Sequence, residues 1–90
     1  MYEWDEAKNE QNKANHGVSF EDMTSFNWDF ALLLDIQHVD GEERELSIGP
    51  IAVNLYAVVT TVRGQKTRVI SLRRATNAEI RTWRKEFQHG

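Results

Sequence analysis

Ninety residues with 11 Lys+Arg against 14 Asp+Glu, a net charge of −3 and no cysteine describe one small domain, residues 1–90, without a disulfide frame or a thiolate metal site. No apolar run approaches the ~18–20 residues that cross a bilayer, and the N-terminus lacks a signal-peptide pattern, so a cytoplasmic protein without a membrane partner is expected. The charge is partitioned: residues 1–60 hold Lys8, Lys13 and Arg44 against twelve acids, net −9, whereas residues 61–90 hold eight bases against Glu79 and Glu86, net +6. Such asymmetry points to a basic surface for a polyanion, or to a partner that complements it. His16, His38 and His89 show no ligand spacing, so neither a metal nor another cofactor is expected.

Residues 2–4 read as a short opening strand. Asp5 is a good N-cap for a helix over 6–15, and Gly17 ends it in the usual position. That helix is polar, with Ala7 and Ala14 its only apolar residues. Ser19 with Asp22 resembles a capping box, after which Phe20, Met23, Phe26 or Asn27, and Phe30 recur at helical spacing as a stripe for the core. Strands follow. Residues 31–38 make the first, Asp40-Gly41 signals a hairpin turn, and 43–48 alternates with Arg44, Leu46 and Ile48 on one face. Gly49-Pro50 marks a break. Residues 54–62, NLYAVVTTV, form the strongest strand; after a tight turn at 63–66 the last strand takes 67–74. Short turns make these four strands antiparallel. Thr76 and Glu79 form a capping box for a helix over 77–88. The expectation is an α+β domain: an antiparallel sheet of about four strands, two N-terminal helices and one C-terminal helix, with helices on one sheet face.

The last strand ends in Arg73 and Arg74 at a strand-to-helix corner, where guanidinium forks suit phosphate oxygens. Parity sets Ile70 and Leu72 on one face and Val69, Ser71 and Arg73 on the other. Arg73 then projects from the open face beside Ser71, and its removal spares the core. Arg74 begins on the core side and must bend around the corner.

Together these pieces resemble the BrnT family, toxins of bacterial type II toxin–antitoxin pairs. The resemblance rests on YEWDEAKNEQNKANHGVSFEDM at the start, Glu43-Arg44 followed by Ile48-Gly49, and RVISLRRATNAE near the end. Trp83 stands where the family usually has tyrosine, which removes any phenolic hydroxyl from that position. The family's likeness to RelE-type ribonucleases implies a RelE-like fold and a metal-independent ribonuclease that stops translation by cutting RNA. It also implies a cognate ribbon-helix-helix antitoxin, BrnA-like, through which alone operator DNA is bound.

Cutting RNA without a metal turns the ribose 2′-hydroxyl on its own phosphate. One group takes that proton, another protonates the leaving 5′-oxygen, and cations stabilise the equatorial oxygens. Arg73 and Arg74 suit the last task, because a guanidinium holds its proton too tightly to serve as a base. Imidazole is the side chain that ordinarily changes charge between pH 5 and 8, so His16 is the proton-carrier candidate, with Lys8 and Asn12 beside it at helical spacing. His16 also reads as a plain helix C-terminus and Lys8 as a solvated cation; both readings stand. Arg44 reads equally as a buried ion-pair residue or a site residue. Arg63, Lys66 and Arg68 flank a turn and are expected to give affinity for RNA or antitoxin without chemistry; Ser71 is expected to bind RNA. Trp83 reads either as core packing with Ile80 and Phe87 or as a base-stacking platform. The basic half also fits a non-catalytic nucleic-acid-binding module, or a protein that only docks an antitoxin. A neighbouring open reading frame for a ribbon-helix-helix protein discriminates the paired toxin from these.

Overall fold

The computed structural model describes residues 1–88; His89 lies outside them. The elements are β1 (Tyr2–Glu3), α1 (Glu6–His16), two 3₁₀ turns (Phe20–Ser25 and Trp28–Phe30), β2 (Leu32–Val39), β3 (Glu42–Ile51), β4 (Asn54–Arg63), β5 (Lys66–Arg74) and α2 (Asn77–Phe87). The sheet has five strands in the order β1-β5-β4-β3-β2. The expected four-stranded antiparallel sheet is therefore corrected: β1 joins it as a parallel neighbour of β5, with Tyr2 opposite Thr67 and Glu3 opposite Arg68. The connection is long enough to permit parallel pairing, since the whole of the chain from α1 to β4 intervenes.

Two further expectations change. The expected second helix is a pair of 3₁₀ turns, because Phe20, Met23 and Phe26 repeat every three residues, the 3₁₀ period. Ser19 and Asp22 do form their capping box, as do Thr76 and Glu79; Asp5 caps α1, and Gly17 ends it at φ 70°. Gly49-Pro50 is no break: β3 runs through it, with Gly49 opposite Tyr56 and Pro50 opposite Leu55. A Cβ on Gly49 would sit 2.5 Å from the Phe26 ring, so glycine there is what lets the ring close over the sheet.

Helices occupy both faces of the sheet. On the first face Val18, Phe20, Met23 and Phe26 pack with Val58, Val69 and Leu72. On the second, Trp83 and Phe87 of α2 pack with Ile48, Ala57 and Leu46. Burial of these side chains, each contributing about 1.5–3 kcal/mol, is the main stabilising term. A bulge in β5 reorders its parity. Val59 pairs with Ser71 and Thr60 with Val69, leaving Ile70 as the extra residue, so Val69 and Leu72 share the first face. The expected grouping of Val69 with Ser71 and Arg73 is thereby overturned, while Arg73 stays opposite in direction to Leu72.

The polar helix α1 is held by two buried asparagines. Asn9 Oδ1 accepts the Phe20 amide at 2.8 Å. Asn12 Nδ2 donates to the carbonyls of Val18 (2.9 Å) and Leu72 (2.8 Å), and its Oδ1 accepts the Leu72 amide (3.2 Å). Beyond β1, the outer edge of β5 is thus completed by a carboxamide that pairs like one more peptide group.

Asn12→Ala is expected to lower unfolding free energy by about 2–4 kcal/mol, because it orphans buried backbone groups at ~1–3 kcal/mol each. Asn12→Asp should cost as much or more, since a carboxylate cannot donate to the two carbonyls. Urea unfolding of both variants checks this, and a loss below about 1 kcal/mol in each would contradict it.

Candidate functional site

Two adjoining clefts gather the expected groups. The first lies between α1 and β5, lined by Lys8, Gln11, Asn12, Asn15, His16, Ile70 and Ser71. Helical spacing aligns Lys8, Asn12, Asn15 and His16 on one side of α1, and the Asn12 bonds to Leu72 press that side against the strand. The second cleft, 110 Å³, lies on the second sheet face and is lined by Gln37, Arg44, Glu45, Leu46, Val59 and Arg73. The two meet where Ser71 pairs in register with Val59.

Arg73 is clamped. Its Nη1 and Nη2 donate to Oε1 and Oε2 of Glu79 at 2.8 and 3.0 Å, and Nη1 also reaches the Arg74 carbonyl at 3.3 Å. Glu79 is at the same time the capping-box acid of α2, accepting the Thr76 amide at 2.9 Å. Three of the five guanidinium N–H groups are taken; Nε–H and one Nη2–H have no protein partner among the described residues. The hydrogen bonds from Arg73, more than those from Thr76, hold the Glu79 carboxyl at a pKa of about 2 despite its burial, and Glu79 in turn raises Arg73 above its ordinary value. Arg73 is therefore no free-standing surface arginine: removing it leaves a carboxylate only 13% exposed without its partner, and the expectation that its loss spares stability is corrected.

The remaining candidates disperse. Arg74 points to the other sheet face, its guanidinium 5.6 Å from the Tyr56 ring centroid and 3.3 Å from Asn54 Oδ1, so the two adjacent arginines do not converge. Arg63 is bound by Glu42 through Nε and Nη2, and Arg68 lies 3.6 Å from Glu3. Lys66 begins β5, seven residues or ~23 Å from Arg73 along the strand. Trp83 is 9% exposed, and its Nε1 donates to the Phe30 carbonyl at 2.7 Å; it packs in the core and presents no stacking face. The positions that local reading left undecided or passed over are Arg44 and Gln37. Arg44 uses Nε on Glu42 (3.2 Å) and still lines the cleft with Arg73. Its parity with Leu46 and Ile48 was a visible signal, but only the pairing of Leu46 with Val59 brings it across to β5. A further concavity, 520 Å³, lies at the β2–β3 hairpin among Glu42, Glu43 and Glu45, where carboxylates disfavour phosphate.

Fold and site define a small α+β domain that gathers guanidinium, ammonium and imidazole groups where one sheet edge meets a polar helix. A family model described as "Ribonuclease toxin, BrnT, of type II toxin-antitoxin system" matches residues 4–79, and the chain belongs to this family. It is thus a ribonuclease toxin whose partner is an antitoxin. No curated protein matches it, and no helix among the described residues is long and apolar enough to cross a membrane.

The Arg73–Glu79 pair sets a pH signature. A carboxyl at about 2 in the folded chain and ~4.3 when unfolded contributes stability that is complete above pH ~4.5. That contribution is lost as pH falls toward 2, on the order of 2–3 kcal/mol. Denaturant unfolding between pH 6 and 2 should show this slope in wild type and a shallower one in Glu79→Gln. Parallel pH profiles for the two proteins would refute it.

Proposed function

We propose that the chain cleaves RNA without a metal, by attack of the ribose 2′-hydroxyl on the adjacent phosphate, in the cleft lined by Arg73 and Arg44, with Ser71 on the adjoining wall. The carrying observation is the orientation of Arg73. Glu79 grips one end of the guanidinium, leaving Nε–H and an Nη2–H as an unclaimed fork in a residue that lines the cleft. A fork of that kind fits two phosphate oxygens. Being preorganised, it strengthens with the charge that develops on the equatorial oxygens, an effect worth about 10²–10³ in rate. Arg44 adds a second cation in the same cleft.

Lys8 and His16 stand on the adjoining wall with Ser71. His16 takes the 2′-hydroxyl proton or returns one to the leaving 5′-oxygen, and Lys8 binds the phosphate on the other side of the scissile bond. Arg74 acts on the flanking RNA. Arg63, Lys66 and Arg68 serve affinity for a longer RNA. The reading extends to the biology the family implies: a domain related to RelE-type ribonucleases, arrest of translation in the cytoplasm, and a ribbon-helix-helix antitoxin that alone contacts operator DNA.

Single-turnover cleavage of a defined RNA tests the assignment. Arg73→Ala should slow cleavage about 10²-fold or more, and Arg73→Lys should recover only part because a point charge cannot make the bidentate contact. Thermal melts accompany each variant, because Arg73→Ala also orphans Glu79 at a cost on the order of 1–3 kcal/mol. The double variant Arg73→Ala with Glu79→Gln removes that charge and should regain stability without regaining activity. His16→Ala should slow cleavage about 10²–10⁴-fold, the worth of one general acid–base group. Wild-type rates in the folded double variant would displace the chemistry from this cleft.

A further inference from the structure

The two edges of the sheet are treated differently. The β5 edge is closed, first by β1 and then by Asn12 on Leu72. The opposite edge is β2, which pairs with β3 alone. Every residue from Leu33 to His38 is exposed, and among the described residues no strand pairs with the outer edge of this eight-residue strand; the Ile36 amide donates to Asp35 Oδ1 at 2.9 Å. Bare edges of that length are normally blunted, because they template pairing with another chain. This one also carries apolar side chains. Leu33 and Ile36 stand on the first sheet face at 48% and 45% exposure, opposite Ser47 and Glu45, with Leu34 at the bulge between Leu33 and Asp35.

Charge selects the occupant. Residues 29–45 hold Asp29, Asp35, Asp40, Glu42, Glu43 and Glu45 against Arg44 alone, net −5. A second copy would set one carboxylate-rich strand against another, which cross-strand pairing penalises. RNA is repelled by the same charge. A polypeptide with apolar residues alternating with bases fits backbone, side chains and charge together.

We propose that the outer edge of β2 receives an extended segment of the antitoxin as a sixth strand, its apolar residues on Leu33 and Ile36 and its bases toward Asp35, Asp40 and Glu43. This rests on the family's toxin–antitoxin pairing and specifies where and by what chemistry the pairing occurs. Gln37, also on β2, lines the cleft with Arg73, so the added strand borders the cleft from outside. Leu33 and Ile36 face the opposite side of the sheet, which makes them separable from catalysis.

The test is amide hydrogen exchange of the toxin, free and in complex with its cognate antitoxin, together with antitoxin titrations of variants. Outward amides within residues 33–38 should exchange freely in the toxin alone and slow at least ten-fold in the complex. Leu33→Ser with Ile36→Ser should raise the antitoxin Kd ten-fold or more and leave RNA cleavage by the free toxin unchanged. Asp40→Lys with Glu43→Lys should raise the Kd and weaken its dependence on salt. Tight antitoxin binding with exchange in 33–38 unaltered would overturn the strand site while the toxin–antitoxin reading stands. Protection that grows with toxin concentration alone would assign the edge to a second copy instead. Failure of the antitoxin to bind wild type at all would overturn both. The exchange comparison uses wild-type protein, so it decides even where a variant fails to fold.

Discussion

The structure depends on one side chain satisfying the edge of β5. α1 carries almost no apolar surface, so hydrophobic burial cannot dock it. Asn12 docks it instead, returning to Leu72 both hydrogen bonds a neighbouring strand would have made and holding the Val18 carbonyl with its second N–H. A buried carboxamide with every bond made is highly directional: it fixes rotation about the helix axis as well as position. Rotation is what matters here, because Lys8, Asn15 and His16 take their places against Ile70 and Ser71 only in that setting. The element that seals the sheet is the one that aims the polar wall of the cleft.

Arg73 and Glu79 form a second constraint of the same kind at the other end of β5. A two-residue connection joins β5 to α2, and Glu79 both closes the capping box and grips Arg73. Helix start and guanidinium orientation therefore rise and fall together. The pair consumes one end of the guanidinium and fixes the direction of the other.

Local chemistry was legible in the chain and long-range geometry was not. Asp5, Gly17, and the boxes of Ser19 with Asp22 and Thr76 with Glu79 act within a few residues, so reading them needs no tertiary knowledge. The bulge at Ile70 leaves no compositional mark, and it alone moves Val69 to the face of Leu72. Placement of helices on both faces had a signal that alternation arguments passed over: LYAVV in β4 is continuously apolar, as a strand covered on both sides must be. The spacing of Phe20, Met23 and Phe26 was recognised as periodic, but three residues is the 3₁₀ period rather than 3.6. In the cleft, Arg73 was readable from its position after Ser71. Its meeting with Arg44, some thirty residues earlier in the chain, depends on β3 pairing with β4 and β4 with β5.

The charge partition also takes a different meaning once the strands are in place. A +6 half suggests one basic surface, yet Arg63 is bound by Glu42, Arg68 lies beside Glu3, and Arg73 is gripped by Glu79. Two of those three acids come from the negative half, so folding cancels much of the segregation locally. The exposed Arg63–Glu42 pair adds little stability, roughly 0–1 kcal/mol, and Arg73–Glu79 adds more, but all three decide which cations remain for a polyanion. What remains near the cleft is a small number of directed groups rather than a diffuse field. On the opposite edge the acids of β2 and its hairpin keep most of their charge, where a basic strand is the complement. The cleft and the bare edge are thus set apart by sign as well as by position.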